Sequence, residues 1–173
     1  WEKAVIGLGS NLGNRKALLA SAVAALRRQP GVRVLRVSKW RRTAPVGDRR
    51  QPRFLNGAVL VATRLPPSRL LLRMKRIETV LGRDRFRGGA PGGPRTIDLD
   101  LLVHGARVIR RPFLTLPHPR LHEREFALRP AAEIAGGLVH PVAGVTLRVL
   151  ASRLRVRGER KRAARDRRLS RRS

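Results

Sequence analysis

The sequence predicts an α+β domain: an antiparallel sheet with helices on its faces, stacked as a three-layer sandwich. Three observations predict it. Strand-like apolar runs and helical segments follow one another in the order β-α-β-β-α-β. Both helical segments end in glycine, and the second also opens on proline, the expected asymmetry of helix ends. The chain has 173 residues, 42% of them hydrophobic, enough for one domain with its own core. That element order fits the split-βαβ, ferredoxin-like plan.

The elements follow in order. Residues 3–10, KAVIGLGS, read as a buried strand that ends in glycine. Residues 11–31 read as a helix, with Ala17, Leu18, Ala22, Ala25 and Leu26 at helical spacing and Pro30-Gly31 as the stop. Residues 32–43 alternate Val32 and Val34 against Arg33 and Arg36, a half-exposed strand. A Pro- and Gly-rich loop over 44–53 leads to a β-rich run over 54–65. Residues 66–82 read as the second helix, 83–94 as a long Gly-rich loop, and RTIDLDLLVHG as a strand. A short strand and a loop follow, then two short helical stretches near 122–128 and 130–134. The reading divides the chain into a folded domain over 1–157 and a basic tail over 158–173, disordered or loosely helical for want of apolar residues to bury.

Composition excludes several classes. There is no Cys, hence no disulfide framework and no thiolate metal site. No apolar run approaches the ~18–20 residues of a membrane span, and no signal peptide is evident. The sequence starts at Trp1 without an initiator Met, which reads as a fragment or an excised domain, and a cytoplasmic location is expected. The formal charge is +29, from 40 Lys and Arg against 11 Asp and Glu. Residues 148–173 hold twelve basic and two acidic side chains, so removing them lowers the charge only to +19. Such a balance reflects either an Arg-rich background or an anionic partner: nucleotide, nucleic acid or membrane surface.

Against that charge, the stretch GGPRTIDLDLLVHG stands out. In a strand, Asp98 and Asp100 share one face, with Ile97, Leu99 and Leu101 on the other. Adjacent carboxylates repel unless cations sit beside them. Such a pair has two readings: a site for hard divalent ions next to a polyphosphate, or a solvated face whose acids pair with arginine. The segment GLGSNLGNR has G-x-G-x-x-x-G spacing and no acid between Glu2 and Asp48, which excludes a dinucleotide fingerprint and leaves a tight turn with Asn11 or Asn14 as helix cap. His118 and His122 are four apart, but Pro119 and the lack of a third ligand argue against zinc. A phosphate-facing His118, near Arg120 and Arg124, is better motivated.

Taken together, GLGSNLGNR, TAPVG, FLNGAV, GPRTIDLDLL and LPHPRLHEREFALRPAAEIA resemble, in order and spacing, the 6-hydroxymethyl-7,8-dihydropterin pyrophosphokinases of folate biosynthesis, over residues 4–150. The resemblance implies a ferredoxin-like fold and an enzyme that moves the terminal pyrophosphate of ATP onto a dihydropterin, giving AMP, with two Mg²⁺. It implies Asp98 and Asp100 as metal ligands and, with Arg83 and Arg95, as the catalytic group. It implies a pterin site of Thr43, Ala44, Pro45, Val46, Phe54, Asn56 and Phe126; the residues alone favour core positions for both Phe over stacking on a ligand. On the ATP side it implies Lys75, Glu78, Arg83, Arg85, Arg95, Leu101, Thr115, His118, Pro119 and Arg124. Relative to the family pattern, Gly92-Gly93 replaces a large aromatic, Lys75 a frequent Gln, Pro119 a frequent Tyr, and Phe113 an occasional Arg.

The rival is a basic nucleic-acid module on the same plan, which needs exposed sheet aromatics that the chain lacks. The expected partners are therefore ATP and a dihydropterin, with no membrane, no sequence-specific nucleic acid, at most salt-sensitive RNA binding through the tail, and a monomeric state.

Overall fold

The computed structural model describes residues 1–45, 50–82 and 96–170. Its elements are β1 (Glu2–Ser10), α1 (Arg15–Arg27), β2 (Val32–Val37), β3 (Arg41–Thr43), β4 (Phe54–Thr63), α2 (Pro67–Val80), β5 (Asp98–His104), β6 (Ile109–Arg111), β7 (Leu114–Leu116), a 3₁₀ turn (Leu121–Glu123), α3 (Glu125–Ala135) and α4 (Leu147–Ser170). The main sheet runs β2-β4-β1-β5 with β3 added on β4, and every pairing is antiparallel. This is the ferredoxin-like α+β sandwich that the element order predicts.

The sheet is buried on both faces, which is why β1 and β4 read as nearly continuous apolar runs. Ala4, Ile6 and Leu8 of β1 join Val59, Val61, Leu99 and Leu101 under α1 and α2, where Leu19, Leu26, Leu70 and Met74 close the first core. Val5 joins Ala58, Leu60, Leu102 and Val103 under α3 and α4, where Leu128, Ala131, Ile134 and Leu147 close the second. Each of the Val, Leu, Ile and Met side chains contributes roughly 1.5–3 kcal/mol by leaving water.

Local chemistry sets the boundaries. Asn14 caps α1, its side chain accepting the Ala17 N–H at 3.1 Å, so the helix starts at Arg15 rather than Asn11. The expected strand over 32–43 is broken in two. Trp40 folds over β4 at Gly57, where a Cβ would come within 2.3 Å of the indole; only glycine permits this approach. Ser38 secures the break, donating its N–H to the Ala58 carbonyl and accepting the Ala58 N–H on its hydroxyl, each at 2.9 Å.

Two further expectations change. The stretch after Gly105 forms a β6–β7 hairpin rather than one strand and a loop. The two helical stretches around residue 130 are one helix, α3, because Pro130 lies only in its second turn and forfeits a single bond. α4 runs as one helix from Leu147 through Gly158 to Ser170, across the boundary expected at residue 157. Among the described residues no helix is long and apolar enough to cross a membrane.

Candidate active site

The register of the three central strands builds a groove on the α3 side of the sheet. Gly9 of β1 lies opposite Asn56 of β4 and Asp98 of β5, and Gly7 lies opposite Ala58 and Asp100. Side chains alternate along each strand, so these residues share one face. A track without side chains therefore runs between Asn56 on one bank and the two aspartates on the other. The N-terminal turn of α3 brings Phe126 over it, and the result is a cavity of about 880 Å³.

One end of this cavity suits a flat, polar-edged molecule. Phe54 and Phe126 both line it, with Thr43, Ala44 and Asn56. Asn56 is buried, and its amide donates to the Thr43 hydroxyl at 2.6 Å. Its oxygen lies toward Gly9, 2.5 Å from where a Cβ would stand. Thr43 and Phe54 are cross-strand partners on β3 and β4, so the strand break at Trp40 is what delivers Thr43 here.

The other end is ionic. Asp98 and Asp100 line the cavity with Arg120 and Arg124. Arg124 Nη1 lies 4.0 Å from Asp100 Oδ2, and its guanidinium sits 5.7 Å from the centroid of the Phe126 ring. His118 is held beside them by its backbone N–H, which donates to the Leu102 carbonyl at 2.8 Å. Burial first, then Arg124 and Arg120, hold its pKa down to about 4 against the opposing pull of Asp98. Its Nδ1 accepts the Arg120 N–H at 3.2 Å, which puts the ring hydrogen of the neutral form on Nε2. His118 is thus an uncharged donor beside the acids.

This depression has a measurable consequence. Between the ordinary value of 6.5 and about 4, the unfolded chain takes up a proton that the folded chain refuses, so stability falls as pH falls through that window. In His118→Gln the fall should be shallower, as read by urea unfolding above pH 6.5 and near pH 4. An unchanged slope would show that the charge cost lies elsewhere, for instance at His140, which burial also pushes down.

Not every expected residue faces the cavity. Leu101 is buried in the first core and Thr115 is on β7. Glu78 is fully buried on α2, where it accepts the Leu99 N–H at 2.7 Å and pairs with Lys75 at 3.0 Å. Pro45 and Pro119 are described but do not line the cavity. Val46, Arg83, Arg85 and Arg95 lie outside the described residues. The structure also adds lining residues that sequence reading missed: Gly7, Gly9, Arg41, Arg42, Glu125 and Arg129. The alternation of Gly7 and Gly9 with buried Ile6 and Leu8 was the available signal for the first pair. Glu133 of α3 fixes Arg41 through a 2.8 Å ion pair, and its carboxyl is held below the ordinary range chiefly by the Lys39 N–H.

The donor set fits a hard cation that arrives with its substrate. Asp98 and Asp100 offer carboxylate oxygens on one face, partly exposed and beside an open cavity. Among the described residues no cluster of three or more His, Cys, Asp or Glu could enclose a resident metal. Mg²⁺ characteristically takes one or two carboxylates and completes its octahedron with water and phosphate oxygens.

Paired carboxylates among arginines, in one cavity of an α+β sandwich with two phenylalanines, are chemically suited to phosphotransfer. The family model described as 7,8-dihydro-6-hydroxymethylpterin-pyrophosphokinase matches residues 5–136, and the chain belongs to that family. A 2-amino-4-hydroxy-6-hydroxymethyldihydropteridine pyrophosphokinase of Methylorubrum extorquens is 44% identical over 152 residues, covering 88% of this chain and 93% of the relative. One of Bacillus subtilis is 46% identical over 131 residues, covering 76% and 77%. The folic acid synthesis protein fol1 of Pneumocystis carinii is 40% identical over 146 residues, but this chain spans only 19% of its length. In shape, the chain resembles a Plasmodium falciparum HPPK-DHPS crystal structure with a TM-score of 0.73 at 14% identity, covering 92% of this chain and 46% of that one.

Proposed function

We propose that this chain transfers pyrophosphate from ATP to 6-hydroxymethyl-7,8-dihydropterin, producing AMP and the pterin diphosphate for folate synthesis. Its family membership supports the reaction. The observation that carries the site assignment is the shared cavity, which joins the Asp98–Asp100 pair to the Phe54–Phe126 slot across a glycine floor.

In this reading the pterin ring stacks between Phe54 and Phe126, and the Asn56 oxygen accepts from its edge. The pterin hydroxyl oxygen attacks the β-phosphorus of ATP. The bond from that phosphorus to the oxygen bridging to the α-phosphate breaks, AMP leaves with the electron pair, and the hydroxyl proton passes to solvent. Asp98 and Asp100 would hold the Mg²⁺, two ions in this reading, which would supply charge neutralisation along the triphosphate. Arg124 and the neutral His118 donate to phosphate oxygens; Arg83, Arg85 and Arg95 add positive charge from their motif positions. Thr115, Leu101 and Pro119, which do not line the cavity, enter this reading only through their motif positions. No side chain need act covalently: alignment and electrostatics carry the rate.

The test is direct. The protein, ATP, Mg²⁺ and the dihydropterin should yield AMP and the pterin diphosphate in equal amounts. ADP in place of AMP, or no pterin product, would overturn the reading. Truncation after Arg157 should leave turnover nearly unchanged, since Gly158 and the residues to Ala164 do not line the cavity. A steady-state assay of the truncated chain, with circular dichroism to verify folding, checks this.

A further inference from the structure

Among the described residues β5 is an edge strand: β1 pairs one side of it, and no described strand pairs the other. Edge backbone groups ordinarily face water or a covering element. In an antiparallel pair, alternate residues turn their N–H and C=O toward the partner strand and away from it. Leu99, between the two aspartates, turns its groups away from β1 and toward α2. Its N–H donates to Glu78 Oε1 at 2.7 Å, and its carbonyl lies 3.5 Å from Lys75 Nζ. Lys75 in turn sits 3.0 Å from Glu78 Oε2 and 3.1 Å from Oε1.

The Leu99 N–H belongs to the peptide that joins it to Asp98, and its carbonyl to the peptide that joins it to Asp100. One ion pair, from residues three apart on α2, therefore touches both peptides that link the two carboxylates. Glu78 is fully buried. A buried ion pair is a poor stabiliser compared with apolar packing, because both charges lose their hydration. A neutral acceptor would satisfy one edge N–H equally well. Fixing two successive peptide planes is a task for which a charged, two-oxygen acceptor with its own cation is suited.

We propose that Glu78 and Lys75 are positioning residues that hold the Asp98–Leu99–Asp100 backbone in the geometry needed to bind Mg²⁺ together with a nucleotide. This rests on the reading of Asp98 and Asp100 as magnesium ligands. It assigns Glu78 and Lys75 to the rear of β5, acting through main chain rather than by touching ATP. Supporting groups behind metal ligands typically change affinity by 10–100-fold when removed.

The variants are Lys75→Met, which keeps the stem and removes the cation, and Glu78→Gln, which keeps an acceptor for the Leu99 N–H. Binding of a non-hydrolysable ATP analogue is measured by calorimetry across a Mg²⁺ series and in chelator. Exchange of the Leu99 amide and the thermal midpoint are measured without ligand. The expected result is a Mg²⁺ midpoint raised about tenfold or more in Lys75→Met and less in Glu78→Gln, with faster Leu99 exchange and unchanged affinity in chelator. Equal weakening in chelator and in Mg²⁺ would overturn the proposal in favour of direct nucleotide contact. A lowered thermal midpoint with an unchanged Mg²⁺ midpoint would overturn it in favour of a purely structural pair. Asp98→Asn in the same titration separates the two levels. If it titrates like wild type, the metal assignment fails and takes this proposal with it. If it alone loses Mg²⁺ dependence, only the positioning role fails.

Discussion

Asp98→Asn and Asp100→Asn should each lower kcat by about a thousandfold or more, equivalent to roughly 4 kcal/mol of transition-state stabilisation. Asparagine keeps the shape and one oxygen, so the folded state should survive; both side chains are partly exposed on β5 and belong to neither core. What disappears is negative charge. In a chain of formal charge +29, a carboxylate pair stands in a strongly positive field, and its removal makes the groove a better site for a bare triphosphate. The variants should therefore retain ATP binding in chelator, or improve it, while losing the Mg²⁺-dependent gain and turnover. Rapid-quench measurement of AMP formation with both substrates bound separates the chemical step from binding. Wild-type turnover in the absence of divalent metal, or an Asp100→Asn enzyme within tenfold of wild type, would mean that Asp100 serves only as a partner of Arg124, 4.0 Å away.

The sequence carried most of the fold because its signals were local. The near-continuous apolar runs of β1 and β4, the alternation of Asp98 and Asp100 with Leu99 and Leu101 on β5, the Asn14 cap, and the Pro66 and Gly82 bounds of α2 all arise from neighbouring residues. What it missed was tertiary. The break at Trp40 depends on an indole lying over Gly57, seventeen positions on, and no property of residues 32–43 alone announces it. Pro130 reads as a helix boundary in isolation, yet α3 continues through it because Ala131, Ile134 and Ala135 bury beyond it. At the cleft, the periodicity of two correctly placed the aspartates on the face opposite Leu99 and Leu101. The same periodicity applied to Gly7 and Gly9 predicts a floor, but glycine near a helix start reads first as a turn. Of the glycines in that segment only Gly13, with φ of 63°, serves a turn. The burial of Glu78 behind β5 was not legible at all, since an acid three residues from a lysine on a helix ordinarily reads as a solvated surface pair.

The glycine floor gives the second large effect. A Cβ on Gly9 would stand 2.5 Å from Asn56 Oδ1, well inside contact, and 3.9 Å from Phe54 Cδ1. The backbone has no room to yield, because Gly9 is paired with Asn56 on one side and Asp98 on the other. The Asn56 side chain must swing instead, and to do so it gives up its 2.6 Å bond to the Thr43 hydroxyl and the orientation that presents its oxygen to the pterin edge. A displacement of about 1 Å at a positioning group costs up to about a hundredfold. Gly9→Ala should therefore lower kcat/KM for the dihydropterin by about tenfold to a hundredfold while leaving nucleotide affinity near wild type. Asn56→Ala should cost a similar amount, and the double variant little more than either single one, because both lose the same contact. Gly137→Ala, with nothing within 4 Å of the added methyl, is the control that should be kinetically silent. Full additivity of Gly9→Ala and Asn56→Ala would mean that the floor and the amide act on different parts of the reaction, and that the slot between Phe54 and Phe126 is read by some other group.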